Sequence, residues 1–295
     1  MRLVFVHGMR QEGKDAANLR QAWEESLISA WKELGLTKPS YTLEMPFYGD
    51  KLHKLVEEAR GDSERILMRG EGNEQTFTRL EEKLILAMAE QEKIADDEIY
   101  AELGAEVVER GAVNWEWVQA IARILERKVP GLGRLGLSFV RQVDGYLTRP
   151  HIRKAVDEMV EPHLLCGSTV VVSHSLGTII AYRLLRKAKK KAKVPLFVTL
   201  GSPLGIDIVK RHLRPPGLTV PEGVKRWLNG TDERDYVALH ARLDRKTFAE
   251  GIENVSDIDN RNDAHAIADY LSDSTICWRI HSAVCSPQTD GSQPR

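Results

Sequence analysis

Val170-Val171-Val172-Ser173-His174-Ser175-Leu176-Gly177-Thr178-Ile179-Ile180-Ala181 decides how this chain is read. A β-branched run gives way to small residues, and an apolar pattern at helical spacing follows at once. The stretch therefore predicts a buried strand that turns sharply into a helix, with Ser175 at the apex. Small side chains beside the apex meet a steric demand, because the turn strains the serine backbone and brings strand and helix close together.

Outward from this turn, helical and strand patterns alternate. Upstream, a helix is predicted from Ile152 to Leu165 and a strand from Ser168 to Ser173. Downstream, the helix starting at Leu176 runs into Arg186-Lys187-Ala188-Lys189-Lys190-Lys191-Ala192-Lys193, read as a solvated helix end whose cations suit the dipole. Strands are predicted at Leu196–Leu200, Val224–Asn229 and Gly251–Val255, with a last helix over Ile276–Val284. At the amino end, Leu3–Val6 reads as a buried strand, Ala17–Leu34 as a helix and Tyr41–Met45 as a second strand. Alternation of this kind predicts the α/β class, a mostly parallel sheet with helices on both faces.

Between residues 50 and 150 charged helical patterns dominate. Leu80, Leu84, Ile85 and Met88 share one face, and Val113, Trp117, Ala120, Ile121, Ile124 and Leu125 share another. The glycine-punctuated apolar segment Val129–Leu137 follows, read first as a helix–helix contact. The block reads as a large helical insertion, or lid, in a core made of residues 1–49 and 151–285. Residues 286–295 read as a polar, disordered tail.

Composition narrows the function. Among 295 residues, Lys+Arg 42 against Asp+Glu 43 leaves a net charge of -1, so no global field favours nucleic acid. Cys166, Cys277 and Cys285 have neither disulfide-framework nor metal-site spacing, and read as free, mostly buried thiols in a reducing compartment. Met1–Val6 is too short for the apolar part of a signal peptide, and no apolar run reaches the ~18 residues of a membrane span. A cytoplasmic protein is expected.

The Ser173-x-Ser175-x-Gly177 turn resembles the nucleophile elbow of the α/β-hydrolase superfamily, in its lipase- and esterase-like members, with Ser173 where the usual G-x-S-x-G has glycine. The resemblance covers about two-thirds of the chain and leaves out the helical block. It implies a Ser–Asp–His triad in that chain order, with Ser175 as nucleophile. For the acid it selects Asp235 in Asp235-Tyr236-Val237, with Asp232 as the alternative and the other aspartate a loop cap. For the base, His265 lies in a polar loop between a strand and a helix. His240 follows the acid loop too soon, His281 lies inside a helical pattern, and His174 is read as packed at the turn. His7-Gly8-Met9 after the first strand is similar to the family's His-Gly motif, which implies an oxyanion hole built from the backbone N–H groups of Met9 and Leu176. Thr199-Leu200-Gly201-Ser202-Pro203 also fits the lipase-like pattern as a pocket-shaping turn. Pro203 is read as preventing the helix-entry geometry of an elbow immediately after Ser202, which sets Ser202 aside.

These expectations add up to a serine hydrolase that cleaves a small-molecule or lipid carboxylic ester with no metal or organic cofactor. The same triad would serve an acyltransferase, a thioesterase or a peptidase. A non-catalytic hydrolase-fold protein that binds a partner through the helical block is the rival from another class. Peripheral membrane contact and a regulatory protein partner remain open.

Overall fold

The computed structural model describes residues 1–68, 78–104, 115–128, 132–214, 217–239, 242–261 and 263–286. Strands form on the apolar runs: β1 (Arg2–Val6), β2 (Thr42–Glu44), β3 (Thr169–His174), β4 (Phe197–Leu200), β5 (Trp227–Gly230) and β6 (Ile252–Val255). They make one six-stranded, all-parallel sheet in the order β2-β1-β3-β4-β5-β6. The predicted strand from Val224 starts only at Trp227, because Val224 makes a single isolated bridge to Val194.

Between and after the strands run α1 (Ala16–Glu33), α2 (Gly49–Met68), α3 (Arg79–Gln91), α4 (Asp96–Leu103), α5 (Trp115–Lys128), α6 (Leu132–Thr148), α7 (Pro150–Leu164), α8 (Leu176–Ala188), α9 (Asp207–Leu213), α10 (Ile267–Ser272) and α11 (Ser274–Cys285). Period-2 alternation divides the strand side chains between two apolar layers. Leu3, Phe5, Val170, Val172 and Val198 pack with Trp23 and Leu27 of α1 and with Tyr270 and Ile280 of α10 and α11. Val4, Val6, Val171, Phe197 and Trp227 face the other way, toward Ile180 and Tyr182 of α8.

The helices between residues 50 and 150 join this second layer. Leu52, Leu84, Ile121, Phe139 and Tyr146 belong to the same continuous apolar cluster as Val4 and Val171. From Leu132 on, the glycine-punctuated segment forms the start of α6. A Cβ on Gly136 would lie 2.6 Å from Met88 Cε, so this glycine lets α6 approach α3.

The cysteine expectation needs correcting. All three thiols are free, but Cys166 and Cys285 are exposed and only Cys277 is buried. Cys166 sits in the turn after α7, beside left-handed Gly167, and Cys285 ends α11, where little chain packs over either. Val113, residues 129–131, His240 and residues 287–295 of the tail lie outside the described residues. Among the described residues no helix is long and apolar enough to cross a membrane.

Strand order also positions the site. From β1 the chain steps to β2 on one side, crosses back to β3 on the other, and then moves outward through β4, β5 and β6. Where the order reverses, between the carboxyl ends of β1 and β3, parallel sheets leave a crevice that commonly takes ligands. His7 follows β1 directly, and Ser175 follows β3.

Candidate active site

Ser175 occupies the turn between β3 and α8 with φ 54° and ψ -130°, a conformation that L-residues rarely adopt. Close packing enforces it. A Cβ on Gly177 would lie 2.3 Å from the carbonyl oxygens of both Val6 and His7, and one on Gly8 would lie 2.6 Å from Ser175 Cβ. Ser173, which replaces the expected first glycine, fits because its hydroxyl donates to the Val198 carbonyl of β4 at 2.9 Å.

The loops after β5 and β6 bring Asp235 and His265 together. His265 Nδ1 faces both carboxylate oxygens of Asp235, at 2.9 Å and 2.8 Å, which sets Nδ1 as donor and leaves Nε2 with its lone pair. The carboxylate is held from three further sides. Val237 and Ala238 donate their backbone N–H groups to Oδ1 at 2.8 Å and 3.3 Å, and the Tyr270 hydroxyl donates to Oδ2 at 2.7 Å. Burial, reinforced by the Asp235 charge, pushes the Tyr270 phenol far above its ordinary pKa and keeps it a donor.

Asp232 is also buried but meets no imidazole. Its oxygens accept from the backbone N–H and side chain of Arg234 and from the backbone N–H of Asn260. Burial opposes ionisation there, yet Arg234 and these N–H groups outweigh it and hold the carboxyl below its usual range. Asp232 thus braces the two loops, while Asp235 meets the ring. Gly201 makes room for that meeting. It has φ 53°, and a Cβ there would lie 2.7 Å from Asp235 Oδ2 and 3.0 Å from His265 Nδ1.

Ser175 is 1% exposed and His265 8% exposed. Among the described residues, Ser175 Oγ and His265 Nε2 are both buried without a hydrogen-bond partner. Buried polar atoms are seldom left so, and each such atom calls for an explanation. The two residues whose amides are expected to stabilise an oxyanion flank the serine turn. Leu176 is the first residue of α8, where an N–H has no intrahelical acceptor, and Met9 follows the Gly8 that abuts Ser175.

The competing residues separate clearly. Ser202 is occupied: its oxygen pairs with Thr178 Oγ1 at 2.8 Å and accepts from Leu204 N–H at 3.3 Å. Ser202 itself is extended, with φ -91° and ψ 128°, unlike the strained Ser175, and a short 3-10 turn spans Pro203–Gly205 after it. Proline favours the first position of such a turn, and Ser202 caps it. His281 lies in α11 and its Nε2 donates to the Thr37 carbonyl at 2.9 Å.

His174 and His7 are more involved than the sequence indicates. His174 is buried, its ring lies 4.4 Å from that of His265, and its Nε2–H donates to the His265 carbonyl at 3.0 Å. Burial, then the nearby His265, holds its pKa well below the ordinary value. His7 is wholly buried, and burial lowers its pKa to about 4, so both rings are neutral at pH 7.

No sequence signal marked Tyr270 or Tyr48 for the site, and Gly201 was marked only as part of a pocket-shaping turn. Tyr270 and Tyr48 reach it from 35 and 41 residues away. Among the described residues no group of three or more His, Cys, Asp or Glu side chains is arranged to hold a metal ion. No protein-family model matches this chain, and no curated protein is significantly similar to it in sequence. A buried hydroxyl without a partner, an imidazole with an unpartnered nitrogen and a carboxylate on its other nitrogen are the kinds of group that acyl transfer uses.

Proposed function

We propose that the protein is a serine hydrolase that cleaves a carboxylic ester, in keeping with the α/β-hydrolase resemblance. Ser175 Oγ attacks the ester carbonyl as His265 Nε2 takes its proton. Asp235 holds the imidazole in that tautomer and stabilises the imidazolium, and the N–H groups of Met9 and Leu176 bind the oxyanion. The alcohol leaves with the proton from His265. Water then gives a proton to His265 and its oxygen to the acyl carbon, and collapse of the second tetrahedral adduct returns the proton to Ser175.

One observation carries this reading: among the seven buried polar side-chain atoms without a partner in the described residues are Ser175 Oγ and His265 Nε2, the pair between which the reaction passes a proton. Within this reading the helices of residues 50–150 act as a cap over an apolar acyl chain, which favours a lipid ester. The three free thiols suit a reducing compartment such as the cytoplasm.

A fluorophosphonate probe tests the assignment. Wild-type protein is expected to label covalently and Ser175→Ala not at all. Equal labelling of the two would remove Ser175 from the mechanism.

A further inference from the structure

The lysine-rich end of α8, which the proposed reaction leaves unused, borders a cleft of about 420 Å³. Arg183, Arg186, Lys187 and Lys189 line it on one side, and His212 of α9 with Thr219 and Glu222 on the other. Its volume falls in the range of small-ligand sites. Arg186 stands eleven residues beyond Ser175 on α8, about 16 Å at a helix's rise per residue, so the cleft is separate from the reacting groups.

Cations at a helix C-terminus suit the dipole without any ligand. That accounts for Lys190 and Lys191, which are exposed and lie outside the cleft. It does not account for the two arginines, which are partly buried and held in place. Arg183 Nη1 donates to Asp157 Oδ2 at 2.5 Å, and the Tyr146 hydroxyl donates to Oδ1 of the same carboxylate at 2.7 Å. Arg186 lies over the Tyr182 ring, 5.4 Å from its centroid, and its Nη1 donates to the Tyr182 hydroxyl at 3.3 Å. That hydroxyl also donates to the Thr219 carbonyl at 3.2 Å and accepts the Thr219 N–H at 3.3 Å. Tyr182 thus joins the two walls of the cleft and carries Arg186 with it.

The charge is one-sided. Four cations line the cleft against a single carboxylate, the exposed Glu222. Adding Asp157 and Glu161 of α7, which pair with Arg183 and Lys187, still leaves cations in excess. Like charges three and four residues apart on a helix repel, so Arg183, Arg186 and Lys187 are better tolerated with an anion among them. Guanidinium forks match phosphate oxygens, and a phosphate monoester brings a charge of about -1.5 to -2 at pH 7. We propose that this cleft is a binding site for a phosphate group, carried by a free small molecule or by a lipid headgroup. The site does not depend on the hydrolase reading.

Calorimetry with inorganic pyrophosphate at physiological ionic strength tests this. Wild type is expected to bind with a Kd below about 1 mM. Arg186→Gln should weaken binding by about 10- to 100-fold, the worth of hydrogen bonds to a charged group. Lys189→Gln changes an exposed side chain whose loss leaves the fold alone, and should weaken binding by about two- to fivefold. The double variant Lys190→Gln, Lys191→Gln, just outside the cleft, should change it by less than about twofold. Ser175→Ala should bind pyrophosphate as wild type does, whatever becomes of the hydrolase assignment.

Co-sedimentation with phosphatidylcholine vesicles containing phosphatidic acid identifies the source of the phosphate. Sedimentation that Arg186→Gln abolishes places it on a lipid headgroup, and pyrophosphate binding without sedimentation places it on a free molecule. Absence of pyrophosphate binding to wild type would overturn the site. So would a loss in the Lys190, Lys191 double variant as large as in Arg186→Gln, since that is the behaviour of a diffuse lysine run.

Discussion

The two ends of α8 carry nearly the same unusual backbone. Ser175 before it has φ 54° and ψ -130°, and Lys189 after it has φ 52° and ψ -135°. Lys189 is exposed, and its geometry turns the chain into a short 3-10 turn whose Ala192 N–H donates to the Lys189 carbonyl. Ser175 is buried with an unpartnered hydroxyl, and the His174 ring next to it in the chain lies 4.4 Å from that of His265, whose Nε2 is also unpartnered. Strain alone therefore does not mark a site. Strain in a buried place, beside polar atoms without partners, does.

The comparison can be broken most severely at the front end. Asp235→Asn keeps the shape but favours the wrong imidazole tautomer, and kcat is expected to fall by about 10,000-fold. Asp232→Asn, three residues away, should cost less than about tenfold in kcat and instead lower stability by about 1–3 kcal/mol, since the N–H groups of Arg234 and Asn260 lose a charged acceptor. Reversed effects in steady-state kinetics and denaturant unfolding would exchange the two aspartates.

Gly177→Ala comes next. Its Cβ would meet two backbone carbonyls that cannot step aside, so a stability loss of about 3 kcal/mol or more is expected on chemical unfolding. The smallest effect belongs to the far end. Lys189→Gly relieves the backbone strain at some entropic cost, and should raise stability by up to about 1 kcal/mol with unchanged kcat/KM. A kinetic effect there would show that the two ends of α8 are less independent than their surroundings suggest.

Much of this arrangement was legible in the sequence. The apolar runs placed the strands to within a few residues, most directly in β3 and β4, whose residues are all buried and need no alternation to be recognised. The Ser175 turn was legible because its small residues answer a local steric demand. His265 was legible as a polar loop between a strand and a helix, and the choice of Asp235 came from the hydrolase resemblance.

What the sequence hid is long-range. Tyr270 on Asp235, Tyr48 on His7 and Asp232 on Asn260 join segments 28 to 41 residues apart. Nothing in their local patterns specifies a partner. The left-handed Gly201 looked like part of a pocket floor, and only the approach of Asp235 and His265 from later strands explains it. The exposed Cys166 and Cys285 were misread because cysteine is usually buried, whereas both sit at helix ends.

His174 and Ser175 are adjacent in the chain, and His174 grips the carbonyl of His265. The serine and the histidine therefore share a mount at the end of β3. The end of β3 thus carries the Ser175 turn and, through His174, anchors the backbone of the loop that holds His265, in addition to the grip of Asp235 on its ring.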